Sequence, residues 1–157
     1  MRDARLALPL ICLLVVAGAA TPPAHASSRS EARMVRAVNA FRAAHGVAPL
    51  RPSRHLRREA GSFSRWMLDA DVFAHAERRA SLAPGQTQGC YGEVLARHTG
   101  GHPRVRRTLR MWDASALHRD VLLDRRYRWI GAGRALGAFD GWRTTLWTVR
   151  VGCSRRG

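Results

Sequence analysis

The chain has no lysine: all 27 basic residues are arginine, against only 11 acidic residues. Without a lysine or a glycine-rich phosphate loop, and in only 157 residues, the string His118-Arg119-Asp120-Val121 imitates a kinase catalytic loop by chance. No G-x-S-x-G, H-E-x-x-H, C-x-x-C or Walker A pattern occurs. That removes the usual sequence-readable routes to hydrolase, zinc-protease, dithiol or nucleotide chemistry. The string Gly131-Ala132-Gly133-Arg134-Ala135-Leu136-Gly137 is one residue too long for a dinucleotide fingerprint and precedes strand-forming residues, so it reads as strand and turn. No apolar run is long enough for a transmembrane helix, and there is no internal repeat or low-complexity linker. The exclusive use of arginine points to biased codon usage at least as much as to selection for a guanidinium surface.

The first residues read as an address. Arg2 and Arg5 precede the apolar run Leu6 to Ala17, and Ala24-His25-Ala26 offers an A-x-A cleavage site. Cys12 follows the large Ile11, a poor lipobox, and is read as a passenger in the removed peptide. Residues 1–26 are thus expected to be a signal peptide cleaved after Ala26, with residues 27–157 forming one domain around one core. The product is expected to be secreted and extracellular, soluble and monomeric. Loss of Arg2, Arg5 and Asp3 takes the net charge from +16 to +15. A field of that sign draws anionic polymers, phospholipid headgroups or wall phosphates, while export argues against nucleic acid as a physiological partner. Only Cys90 and Cys153 remain after cleavage. One disulfide is expected between them in an oxidising compartment, closing roughly 60 residues and contributing about 4 kcal/mol in the chain-entropy account. Two free buried thiols are the alternative.

Periodicity places the elements. Ser27 to Ser30 reads as a polar leader, and Met34, Val38 and Phe41 form the stripe of a helix over Glu31 to Ala44, stopped by Gly46 and Pro49. Ser53 is an N-cap for a second helix to about Asp69, with Leu56, Ala60, Phe63 and Met67 inward and Arg57, Arg58 and Arg65 wet. Residues 80–90 are loop-like, Tyr91 to Ala96 is a short segment, and His98 to Pro103 is a break. Pro103 suits the first turn of a third helix burying Val105, Leu109 and Trp112. Ser115 suits the cap of a last short helix carrying His118. Tyr127 to Leu136 and Trp142 to Val151 read as a hairpin joined by Gly137 to Gly141, with Trp112, Trp129, Trp142 and Trp147 as core and Trp66 partly exposed. The arginine runs Arg57-Arg58, Arg78-Arg79, Arg104 to Arg110 and Arg125 to Arg128 read as a solvated surface or as a face that grips phosphate.

Three patches carry chemistry: Phe73-Ala74-His75, Gly92-Glu93 and Ser115-Ala116-Leu117-His118-Arg119. Two neutral imidazoles can bind a divalent cation, Zn²⁺ by ligand type, and a carboxylate can add a ligand or orient a ring. Equally, the three residues can simply hydrogen-bond loops together. In order and spacing these patches, with Val38 to Leu50 and Leu146 to Gly152, resemble the CAP superfamily of cysteine-rich secretory, antigen-five and pathogenesis-related proteins. The resemblance runs from about Arg33 to Cys153. It implies an α+β fold, an α-β-α sandwich with a small antiparallel sheet between helical layers, and a cleft shared by His75, Glu93 and His118. It also implies a non-enzymatic secreted protein that binds an extracellular lipid, wall polymer or protein. The alternative is a metal-assisted hydrolase in which His75 and His118 hold the metal and Glu93 is the base. The chain departs from the family pattern at Ala80, where a second carboxylate is common and Glu77 stands close by. It departs again at Val94, in place of asparagine, and at Ala116-Leu117, in place of Pro-Gly. A Ser115–His118 nucleophile pair is sterically allowed at i, i+3, but the cap accounts for Ser115 more simply.

Overall fold

A computed structural model describes residues 24–76 and 90–156. Most of the expected signal peptide, the loop punctuation at Pro84 and Gly85, and the Glu77, Arg78-Arg79 and Ala80 positions lie outside the described residues.

The first helix, α1 (Ala24–Ala44), is longer than its apolar stripe predicts, because Ser27 to Ser30, expected as a leader, are already helical. Met34 and Val38 are fully buried, and Gly46 ends the helix at φ 65°, a left-handed conformation that glycine adopts without strain. Two α1 side chains fold the next segment back. Asn39 holds Leu50 at both ends, donating from Nδ2 to its carbonyl at 3.0 Å and accepting its N–H on Oδ1 at 2.9 Å. Arg42 is completely buried and donates to the carbonyls of Ala48, Leu122 and Asp124 at 2.8, 2.6 and 3.2 Å.

The chain then adds an element the sequence did not announce. Strand β1 (Arg51–Pro52) pairs in parallel with β3 (Trp129–Phe139), in the register Arg51 to Trp129 and Pro52 to Ile130. The sheet is therefore mixed rather than purely antiparallel. Pro52, which has no N–H to offer a second neighbour, fits only such an edge. Helix α2 (Arg54–Asp69) follows, with Ser53 at its N-cap accepting the Leu56 N–H at 3.2 Å. Strands β2 (Tyr91–Thr99) and β4 (Trp142–Gly152) complete the order β1-β3-β4-β2, with β4 antiparallel to both its neighbours. Helices α3 (Val105–Asp113) and α4 (Ala116–Leu123) connect β2 to β3.

The two faces of the sheet are covered separately. On one lie Met34 and Val38 of α1, Val105 and Trp112 of α3 and Leu122 of α4, packed on Val94, Ile130, Ala132, Trp147, Val149 and Val151. On the other lies α2, with Met67 on Leu95, Phe139 and Leu146. Glycine lets α2 approach. A Cβ on Gly131 would stand 2.2 Å from the backbone of Leu56 and Arg57, and one on Gly133 would stand 2.1 Å from the Gly61 nitrogen. The Gly131 to Gly137 string is thus a bare track on which a helix rides. Both fully buried indoles find acceptors, Trp112 Nε1 on the Leu95 carbonyl at 2.8 Å and Trp147 Nε1 on the Pro103 carbonyl at 2.7 Å.

Other local expectations change. The hairpin loop shrinks to Asp140-Gly141, both at positive φ (49° and 71°), the two-residue turn whose twist matches the strands. Trp142, expected in the core, is 66% exposed at that turn. Pro103 precedes α3 rather than opening it, since Arg104 holds φ 45° at the N-cap. Ser115 occupies the α4 N-cap, but its side chain makes no cap hydrogen bond. His98, expected in a break, lies in β2 and is only 7% exposed.

His98 makes a testable contribution to stability. Its Nε2 lies 2.7 Å from Thr108 Oγ1, and that hydroxyl donates to the Arg104 carbonyl, so the ring nitrogen is the donor in the first contact. Burial first, then Arg107 and Arg104, hold the imidazole below its ordinary value. The unfolded chain therefore binds the proton first. Stability is full above about pH 6.5 and is lost as pH falls below it, with a slope of at most about 1.4 kcal/mol per unit from this group. Thermal melts between pH 7.5 and 5 should show the loss, and His98→Gln should flatten it. An unchanged slope in that variant would remove His98 from the account.

Candidate functional site

The site forms where the end of α2 meets the start of β2. Asp71, at φ 52°, turns the chain out of α2, and the Val72 N–H returns to the Met67 carbonyl at 3.0 Å. The following loop brings His75 and Ala76 to Glu93. There a side chain and a backbone amide of the loop meet on one carboxylate oxygen of β2: His75 Nδ1 and the Ala76 N–H both lie 3.1 Å from Glu93 Oε1.

The other oxygen, Oε2, accepts from Arg150 Nε at 3.1 Å and from the Tyr91 hydroxyl at 3.3 Å. Glu93 and Arg150 face each other across the β2–β4 register, and their side chains are 5% and 6% exposed. The Arg150 guanidinium lies between the rings of Phe63 and Tyr91, 5.0 and 5.6 Å from their centroids, and reaches Glu59 at 3.6 Å. Glu59 in turn contacts His55 Nε2 at 3.1 Å. A line of contacts between basic and acidic side chains thus runs His55, Glu59, Arg150, Glu93, His75 between α2 and the sheet. Burial, then the Glu93 charge, push the Tyr91 phenol upward, so it stays a hydroxyl donor.

Both Glu93 oxygens are occupied by four donors, and that settles its local role. A carboxylate on Nδ1 fixes the proton of the neutral His75 ring there and leaves Nε2 as the lone-pair nitrogen. His75 itself is 58% exposed in its side chain. Gly92 is needed beside it: a Cβ there would meet Val121 Cγ1 at 2.8 Å, the Tyr127 hydroxyl at 2.9 Å and Val151 Cγ2 at 3.0 Å. A cavity of about 410 Å³ opens here, lined by His75, Tyr91, Glu93, Val121, Arg126 and Tyr127 among others. Arg126 at its rim is paired with Asp124 at 2.7 Å, and that hydrogen bond holds the Asp124 carboxyl low.

His118 sits in α4, half-buried, and is not among the lining residues of that cavity. Burial, then the charge of His75, lower its pKa, so the two rings lie within electrostatic reach and His118 is neutral. Its Nδ1 is buried and has no hydrogen-bond partner. No bond joins it to Ser115 among the described residues. Two imidazoles, one with a buried nitrogen that lacks a hydrogen-bond partner, are ligand types that suit a divalent cation. Among the described residues, however, no three His, Cys, Asp or Glu side chains are grouped to hold one.

Cys90 and Cys153 form a disulfide with Cα atoms 5.3 Å apart, and the Cys153 N–H donates to the Cys90 carbonyl at 3.1 Å. The bridge fixes the strand start that carries Glu93. Sequence reading missed Arg150 and Glu59. The signal was there in the alternation of β4: Trp147, Val149 and Val151 face one layer, so Thr148 and Arg150 face α2.

The sequence profile of the cysteine-rich secretory protein family, CAP, matches residues 35–149. Among solved structures, a cysteine-rich secretory protein from Staphylococcus aureus superposes with a TM-score of 0.63 at 17% identity, over 84% of this chain and 41% of that one. An outer surface protein from Borrelia burgdorferi superposes with a TM-score of 0.61 at 17% identity, over 79% and 92%. An extracellular SCP-domain protein from Bacillus anthracis gives 0.57 at 20% identity, over 77% and 40%. The chain spans about two fifths of the first and the last of these. No curated protein matches it. Identities this low establish a shared fold alone.

Proposed function

This chain belongs to the cysteine-rich secretory protein (CAP) family, and on that premise we propose that it is an exported, non-enzymatic binding protein that takes an extracellular ligand in the cleft beside His75 and Glu93. The observation that supports a binding role is the state of Glu93. Its two oxygens accept four hydrogen bonds, one from a buried guanidinium, and a base so committed has no lone pair directed at a water. Glu93 positions His75 instead. The hydroxyl, imidazole and guanidinium groups around the cavity favour a polar wall component or protein over a lipid chain. Among the described residues no helix is long and apolar enough to cross a membrane.

The buried, unpartnered Nδ1 of His118 favours a second reading, a divalent cation held between His118 and His75, which would supply Lewis-acid chemistry for hydrolysis. Untagged protein, incubated with isolated cell wall with and without Zn²⁺, separates the two. The binding reading expects retention on the wall that survives EDTA, with no soluble fragments released. Metal content and fragment release that both vanish in His118→Ala would replace it with the hydrolase.

A further inference from the structure

A second cavity lies away from the cleft. It measures about 770 Å³, opens to solvent, and is lined by Pro52, Arg54, His55, Arg58, Arg155 and Arg156. Four guanidiniums therefore surround one space, and no carboxylate among the described residues pairs with any of them. Glu59, one turn beyond His55, is committed to His55 and to Arg150. The arginines that meet at this cavity come from two distant segments held in register. The Ser53 hydroxyl at the α2 N-cap donates to the Arg155 carbonyl. The Arg155 guanidinium rests 5.2 Å from the Trp129 ring centre, with Arg51 stacked on the same ring at 6.0 Å. Like charges brought together by a folded scaffold repel, and an anion placed among them relieves that repulsion.

We propose that this cavity is a binding site for a linear ligand bearing several phosphates. Guanidinium matches a phosphate oxygen pair with two parallel hydrogen bonds, which favours an oxyanion over a simple halide. Four arginines exceed what one phosphate can engage, and a space of this size takes a ligand of several units. A membrane surface fits less well. Among the described residues, the exposed large apolar ones are Trp66, Val72, Phe73, Met111, Leu117 and Trp142, none of which lines the cavity, and Trp129 is covered by two arginines. The site uses none of His75, Glu93 or His118, so it stands or falls independently of the cleft.

Tripolyphosphate titrated into the full mature protein by calorimetry at 0.15 M salt tests the proposal. Saturable binding is expected, weakened at least tenfold by Arg58→Glu with Arg156→Glu, and changed less than twofold by Arg106→Glu with Arg110→Glu on the outer face of α3, which alters the net charge equally. A milder pair, Arg58→Gln with Arg156→Gln, guards against misfolding of the reversal variant and is expected to weaken binding in the same direction. His118→Ala should leave the affinity unchanged. Equal weakening by both charge reversals would show a diffuse field rather than a site and would overturn the proposal, as would the absence of saturation. So would tighter binding to anionic phospholipid vesicles than to tripolyphosphate, since a membrane would then be the partner.

Discussion

Replacing Arg150 by methionine is expected to destabilise the domain by about 3–5 kcal/mol, the usual consequence of stranding one member of a buried ion pair. Glu93 would be left 5% exposed without its guanidinium, and Glu59 would lose its second partner. In a domain of this size the melting temperature should fall by on the order of 10 °C. Methionine retains most of the apolar stem between Phe63 and Tyr91, so lost packing is the smaller part. The double variant Arg150→Met with Glu93→Leu distinguishes the causes. It should recover most of the loss, because neither charge then remains unpaired. Strictly additive effects in urea denaturation would show that the pair does not act as a unit.

The second large effect belongs to Gly133. A valine there would drive its Cβ to about the position that lies 2.1 Å from the Gly61 nitrogen and 2.2 Å from the Ala60 carbonyl carbon. These are backbone atoms of a helix and cannot rotate away, so α2 must lift off the sheet along its length. That movement would open the contacts of Ser64 with Thr148 and of Met67 with Leu146. The expected cost is about 4 kcal/mol or more, beyond ordinary overpacking. Gly137→Ala is the control, since its Cβ would meet only the flexible Leu68 side chain, at 3.1 Å. If chemical denaturation gives the two variants similar losses, close helix approach is not the reason for glycine at 133.

Why some of this was legible and some was not follows from the range of the forces. The α2 helix was readable because Ser53, Leu56, Ala60 and Met67 lie on one local period and the cap bonds three residues away. The hairpin was readable for the same reason, though its turn was set too long because Asp140-Gly141 competes with the small residues Gly137 and Ala138 nearby. β1 was invisible: two residues carry no periodicity, and their pairing depends on a strand nearly eighty positions later. Trp142 was misplaced because composition ranks tryptophan as core, whereas its position beside the turn leaves it nothing to pack on. At the site, His75, Glu93 and His118 were picked out by type and order. Arg150 was not, since among 27 arginines a buried one looks like any other until cross-strand register sets it opposite Glu93.

The bridge between Cys90 and Cys153 ties two places that are otherwise far apart in the polypeptide. Cys90 leads within three residues to Glu93, and Cys153 leads within two to Arg155. The polar cleft at one edge of the sheet and the cationic cavity toward the other therefore share a single mooring. In surroundings reducing enough to open it, both would slacken together.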